Sequence, residues 1–138
     1  MSSDVGVSSL LKPTEFLGHQ FGEMIEVDVI PLHMIMDLID WGRFDYIELV
    51  KIDTQGKDLD IIKSMGHYLK KIVYLNCEVN TFNHYENAPN PYDYDNFLFE
   101  NGFDFVLNNS FVNGEVVDKT YLNKEFISLK DKIDYFVL

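Results

Sequence analysis

The chain has a single cysteine, Cys77, so it cannot form an internal disulfide. That cysteine lies in the apolar run 72–77, which points to a buried, unreactive thiol rather than a nucleophile. Basic residues are also scarce, with 11 Lys and Arg against 23 Asp and Glu and a formal net charge of -12. No basic cluster is larger than Lys70-Lys71, so the sequence offers no patch for a phosphate backbone, and no nucleic-acid partner is expected. No apolar run approaches the roughly 20 residues that span a bilayer. The opening Met1-Ser2-Ser3-Asp4 lacks the basic and apolar regions of a secretory signal. The expectation is a cytoplasmic protein without a membrane partner. Spaced zinc-ligand and EF-hand patterns, a glycine-rich phosphate loop and a GxSxG elbow are all missing, so no metal site is expected.

With 138 residues, 46% of them hydrophobic, the chain can bury a real core, and residues 1–138 are expected to form one domain. Residues 5–11 read as a short strand broken by Lys12-Pro13-Thr14. Glu26-Val27-Asp28-Val29-Ile30 alternates as a half-exposed strand does, and Pro31 ends it. Met34, Ile35, Leu38 and Ile39 recur at helical spacing up to Trp41-Gly42. The nearly continuous apolar run 44–52 predicts a strand covered on both faces of a parallel sheet. Gly56 then permits a turn, Leu59, Ile61, Ile62 and Met65 predict a helix over 58–68, and 69–79 returns as a second strand. This order makes a βαβ crossover with parallel strands.

Residues 80–90 are too polar and turn-rich for a regular element. Pro91 suits the first turn of a helix over 92–101 that stops at Gly102. Tyrosines and carboxylates alternate over 92–97, but acidic residues in a first turn complement the helix dipole without any ligand. Residues 103–107 read as a third strand. No crossover helix follows it, so an antiparallel pairing with 133–138 is predicted. The fold class is therefore α/β: a partial Rossmann-like sheet of two parallel strands plus an antiparallel C-terminal hairpin, with flanking helices.

Ligands of open α/β sheets bind outside the carboxyl ends of the strands. Asp53 and Glu78 stand at or near those ends of the two parallel strands, so as neighbours they would face one crevice. Such a pair can orient a polar substrate, accept a proton or hold a cation. Each carboxylate can instead cap the turn that follows it. His84, in the polar loop, is the histidine placed to join them, the alternative being a surface histidine without a role.

The stretch Leu49-Val50-Lys51-Ile52-Asp53-Thr54-Gln55-Gly56, with Asp58 and Ile62-Lys63-Ser64 after it, resembles the "llKIDvEG.E.evLkg" pattern of the FkbM-type methyltransferases. Cys77-Glu78-Val79 resembles that family's second strand ending in "Ev", and Asn101-Gly102-Phe103 its "nGy" turn. Upstream, Gly6-Val7-Ser8-Ser9-Leu10 is similar to its "GtSSL" strand and residues 27–38 to its "VpvitLDdl" segment. Two positions depart: Gln55 stands where the family has glutamate, and Met36 replaces the first Asp of "LDd", leaving Asp37.

The resemblance implies S-adenosylmethionine as cofactor and O-methylation of a small-molecule or glycan hydroxyl. It implies Asp53 and Glu78 as catalytic residues, and Gln55, Asn80 and His84 as substrate-binding ones. It also places the family's cofactor half, with its "DvGAn" glycine turn, ahead of residue 1. A chain without that half is expected to be inactive by itself. The alternative is a binding or regulatory half-domain that forms a homodimer through its open sheet edge.

Overall fold

The structure is a computed structural model describing residues 8–15, 24–81, 84–110 and 116–132. Its centre is the unit predicted from the apolar runs. Strand β1 (Ile47–Ile52) leads through helix α2 (Asp58–Ser64) and a 3-10 segment (Gly66–Lys71) to β2 (Ile72–Asn80). The two strands are parallel, with Ile47 opposite Ile72 and Ile52 opposite Cys77. The predicted helix over 58–68 is split because Gly66 adopts φ 58, a left-handed conformation that ends an α-helix.

Ahead of β1, helix α1 (Leu32–Met36) is short, and Trp41 closes it by donating Nε1–H to the Met36 carbonyl at 2.9 Å. After β2, helix α3 (Pro91–Glu100) begins with a reciprocal cap. The Asn90 side chain accepts from the Tyr92 and Asp93 amides, and Asp93 accepts from the Asn90 amide at 2.8 Å. This satisfies helix-start donors that would otherwise be orphaned. Tyr94 is buried, and Asp95 accepts from Lys119 Nζ at 2.9 Å and from the Tyr121 hydroxyl at 2.6 Å. The alternating tyrosines and carboxylates of this segment are thus used in capping and packing.

Strands β3 (Phe103–Ser110) and β4 (Val116–Asn123) complete a sheet of order β1-β2-β4-β3, in which β4 runs antiparallel to both neighbours. The antiparallel partner of β3 is therefore β4, and the predicted pairing with 133–138 falls outside the described residues. Asn123 ties this hairpin to the crossover unit. It is buried, donates to the Ile72 carbonyl at 3.1 Å and accepts from the Glu125 amide at 3.0 Å.

The main core lies between the helices and one sheet face, built from Ile52, Leu59, Ile62, Leu75, Cys77 and Leu98 among others. Met36 belongs to this core, so this departure from the family pattern fills a packing position. Burial also pushes the Cys77 thiol up, in keeping with an inert cysteine. Among the described residues the opposite sheet face has a small cluster of Val73, Tyr74 and Leu122, packed by Leu49 and Phe126.

Three expectations are corrected here. Strand β1 is not covered on both faces: it stands at the end of the described sheet, and the Lys51 side chain is 53% exposed. Residues 24–30 form no strand and are exposed, including Val27, Val29 and Ile30. Alternation alone cannot make a strand, which needs a ladder partner and an apolar surface beneath it. Of the predicted strand over 5–11, residues 5–7 lie outside the described residues and 8–11 are not strand. The chain pairs by its backbone just afterwards. Pro13 bridges Tyr85, Thr14 N–H donates to the His84 carbonyl and Glu86 N–H to the Lys12 carbonyl, both at 2.8 Å.

Candidate functional site

Because Ile52 lies opposite Cys77, Asp53, the residue that follows β1, comes beside Glu78 of β2. Side chains alternate across a sheet with period two. Glu78 therefore shares the less covered face with Asn76 and with its cross-strand partner Asp118, and Lys51 lies opposite Asn76 on that same face. Lys51 Nζ sits 3.8 Å from Asp53 Oδ2 and 3.7 Å from Asp118 Oδ2. Asn76 donates to Thr120 Oγ1 at 2.9 Å.

The turn after β1 is built from two consecutive left-handed residues, Gln55 at φ 54 and Gly56 at φ 99. For a glutamine this conformation costs about 1 kcal/mol or more and persists only where surrounding contacts enforce it. Here Ser9 Oγ donates to the Gln55 carbonyl at 2.6 Å. A Cβ added to Gly56 would lie 3.0 Å from Leu11 and 3.2 Å from Tyr85, and its left-handed φ strains any other residue, so the turn favours glycine there. Asp58 then folds back on the turn, its Oδ2 accepting from Thr54 Oγ1 at 3.0 Å. Among the described residues its Oδ1 is buried without a hydrogen-bond partner, and desolvation raises the pKa of this carboxyl.

The Gln55 side chain links the site. Its Nε2 donates to Asp53 Oδ1 at 3.1 Å and to Glu78 Oε2 at 2.7 Å, while its Oε1 accepts from the Tyr85 hydroxyl at 2.9 Å. Burial is the main cause that pushes the Glu78 carboxyl up to about 7, with the negative charges of Asp53, Asp58 and Asp118 adding to it and Lys51 opposing. A carboxylate of that kind can exchange a proton at neutral pH.

Asp53, Gln55 and Glu78 are thus brought together as the sequence suggested. Asn80 ends β2 opposite Val116, two positions beyond Glu78, and its side chain lies outside the described residues. His84 is 9% exposed, which removes the surface-histidine alternative, and its carbonyl accepts from Thr14. Sequence reasoning missed Tyr85, Lys51 and Asp118. Tyr85 is adjacent to the residue that was singled out, and Asp118 becomes visible only once β4 is placed against β2. Among the described residues no group of His, Cys, Asp and Glu is arranged to hold a metal ion, and no helix is long and apolar enough to cross a membrane.

The raised Glu78 pKa has a definite sign in stability. Between its ordinary value of 4.5 and about 7 the folded chain holds a proton that the unfolded chain has released. Its contribution is therefore complete below pH 4.5 and is lost as pH rises through 7. Glu78→Gln keeps an acceptor for Gln55 and removes this loss. Relative to the unsubstituted protein, the variant should gain on the order of 1 kcal/mol between pH 4 and pH 8, after allowing for solvent screening of a half-buried group. Urea unfolding of both proteins at the two pH values checks this, and equal changes would refute it.

The profile of the FkbM methyltransferase domain matches residues 3–105, which include β1, β2 and the start of β3 but not β4. No curated protein and no solved structure matches the chain. Members of this family generally use S-adenosylmethionine. Gly56, in the turn after β1, is packed against Leu11 and Tyr85, so that turn is filled by side chains of this chain. Because the matched span takes in most of the chain and contains the whole strand–turn–helix–strand unit, the protein belongs to the FkbM methyltransferase domain family.

Proposed function

We propose that this chain forms the acceptor side of a methyl-transfer site acting on a hydroxyl of a small molecule or glycan. The observation that carries this reading is the Asp53–Gln55–Glu78 constellation at the carboxyl ends of two adjacent parallel strands. In it Glu78 accepts the proton that the acceptor hydroxyl loses, a task suited to a carboxyl held near 7. Asp53, which is more exposed, hydrogen-bonds a neighbouring hydroxyl and orients the acceptor. Asn80, which ends β2 two positions beyond Glu78, and His84 in the loop that follows are assigned to the acceptor pocket on the strength of the family resemblance. With Asp53, Glu78 and Asp118 facing it, the crevice favours ligands that bring hydrogen-bond donors and disfavours anions.

Amide shifts in NMR titrations test the acceptor class. Glucose or glucosamine at millimolar concentration should perturb residues around Asp53 and Glu78, and glucuronate should not. Equal perturbation by glucuronate would count against a donor-selective crevice.

The part of the site that holds the methyl donor is proposed to come from outside the described residues, leaving the separate chain without methyltransferase activity. One observation supports this: a β1 edge that pairs with no strand among the described residues. Calorimetric titration with S-adenosylmethionine should give no binding heat in the micromolar range, whereas a micromolar Kd for this chain alone would sink the half-site reading.

A second reading, a non-enzymatic half-domain that dimerises, draws support from the same edge and from the exposed Met24, Ile25, Val27, Val29 and Ile30 before it. Sedimentation decides between the two. This second reading requires a dimer at micromolar concentration, and a clean monomer there removes it.

A further inference from the structure

We propose that Gln55 is the positioning residue of this site: its amide holds Asp53 and Glu78 on its two N–H bonds, and Tyr85 fixes the orientation of that amide by bonding its carbonyl end. The argument starts from donor and acceptor capacity. An ionised carboxylate only accepts hydrogen bonds, whereas a primary amide offers two donors on nitrogen and an acceptor on oxygen. Two carboxylates brought side by side by neighbouring strands repel, and such pairs normally need a metal ion, a cationic side chain or a shared proton. Lys51 reaches Asp53 at 3.8 Å and also serves Asp118, but it makes no ion pair with Glu78 among the described residues. The amide of Gln55 fills that role for both carboxylates, at 3.1 and 2.7 Å.

Its orientation is not free to invert. Turning the amide by half a revolution would set its oxygen against two carboxylate oxygens and its nitrogen against the Tyr85 hydroxyl. Tyr85 is buried, and its phenol is pushed up to about 12, chiefly by desolvation and then by the charges of Glu78 and Asp53, so it stays a donor. The backbone is fixed as firmly, by the Ser9 bond to the Gln55 carbonyl and by the packing of Leu11 and Tyr85 on Gly56. Glutamate, which the family pattern carries at this position, has no donor for either carboxylate and would add a third negative group. The role assigned to Gln55 is thus to place the carboxylates, not to touch substrate. It rests on the reading of Glu78 as the proton acceptor.

The charged and titratable groups facing Glu78 are Asp53, Asp58, Asp118, Lys51 and Tyr85. Gln55→Met keeps the length of the side chain, adds no charge and removes both donors, so the ionised forms of the pair lose a stabilising bond. In carbon-detected NMR titrations the Glu78 midpoint, near 7 in the unsubstituted protein, should rise by roughly one unit in Gln55→Met. In Tyr85→Phe, which keeps the donors but frees the carbonyl end, it should rise by less. In the unsubstituted protein the two Gln55 side-chain amide protons should be inequivalent and should shift together with Glu78 as pH is changed. A merely structural Gln55 would alter the melting temperature and leave these midpoints in place. Midpoints unchanged within about 0.3 unit in Gln55→Met, or Gln55 amide protons that ignore the Glu78 titration, overturn the proposal. If Gln55→Met does not fold, the Tyr85→Phe midpoint and the amide protons of the unsubstituted protein still decide it. The sugar titrations report on the acceptor reading separately, so a failure of one is not a failure of the other.

Discussion

The parallel ladder between β1 and β2 is the constraint on which the site depends. Its register sets Ile52 opposite Cys77, both buried on the helix side, and thereby brings the next residues, Asp53 and Glu78, to the rim together. A slip of one residue would turn Ile52 out of the core, so hydrophobic burial holds the register. The apolar half of each strand therefore fixes where the carboxylates stand.

Bringing two carboxylates together has an electrostatic cost, and the molecule meets it locally. The Gln55 amide bonds both, Lys51 lies between Asp53 and Asp118, and the turn carrying Gln55 is held by Ser9, Leu11 and Tyr85. The last three come from segments distant from that turn in sequence. The N-terminal stretch and the loop after β2 are themselves joined by the Thr14–His84 and Glu86–Lys12 bonds. A separate polar network, Lys119 and Tyr121 on Asp95, holds α3 against β4 on the other face. The sheet thus has one face devoted to packing and another on which polar groups converge at one end. Gly56 is close-packed on that same turn, so the packing that orders the carboxylates also fills the turn.

Much of this was legible in the sequence because it is local. The run through 44–56, the helical period of Leu59 and Ile62, the apolar run into Glu78, and Pro91 with Gly102 around a helix all report short-range preferences, and each element is present. Misreadings occurred where the signal depended on a distant partner. Val27 and Val29 alternate correctly but have no sheet to lie on. The pairing of Phe103 with Asn123 in β4 left no local signal to read, because that strand's mixed polarity reflects two different sheet faces rather than one buried side. His84 looks like a surface residue in a polar loop and is buried because residues 12–14 cross over it.

The sequence by itself determined the α/β class, the order of the central elements, the family, and the nomination of Asp53, Gln55 and Glu78, since apolar periodicity and motif spacing are properties of neighbouring residues. Tertiary structure decided what those residues are to one another. It set which oxygen each amide hydrogen meets, how far burial raises the Glu78 carboxyl, and that β1 lies at the end of the described sheet. Those are matters of distance and solvent access, and they arise only when segments far apart in the chain, here Ser9, Gln55, Glu78 and Tyr85, are brought within hydrogen-bond reach.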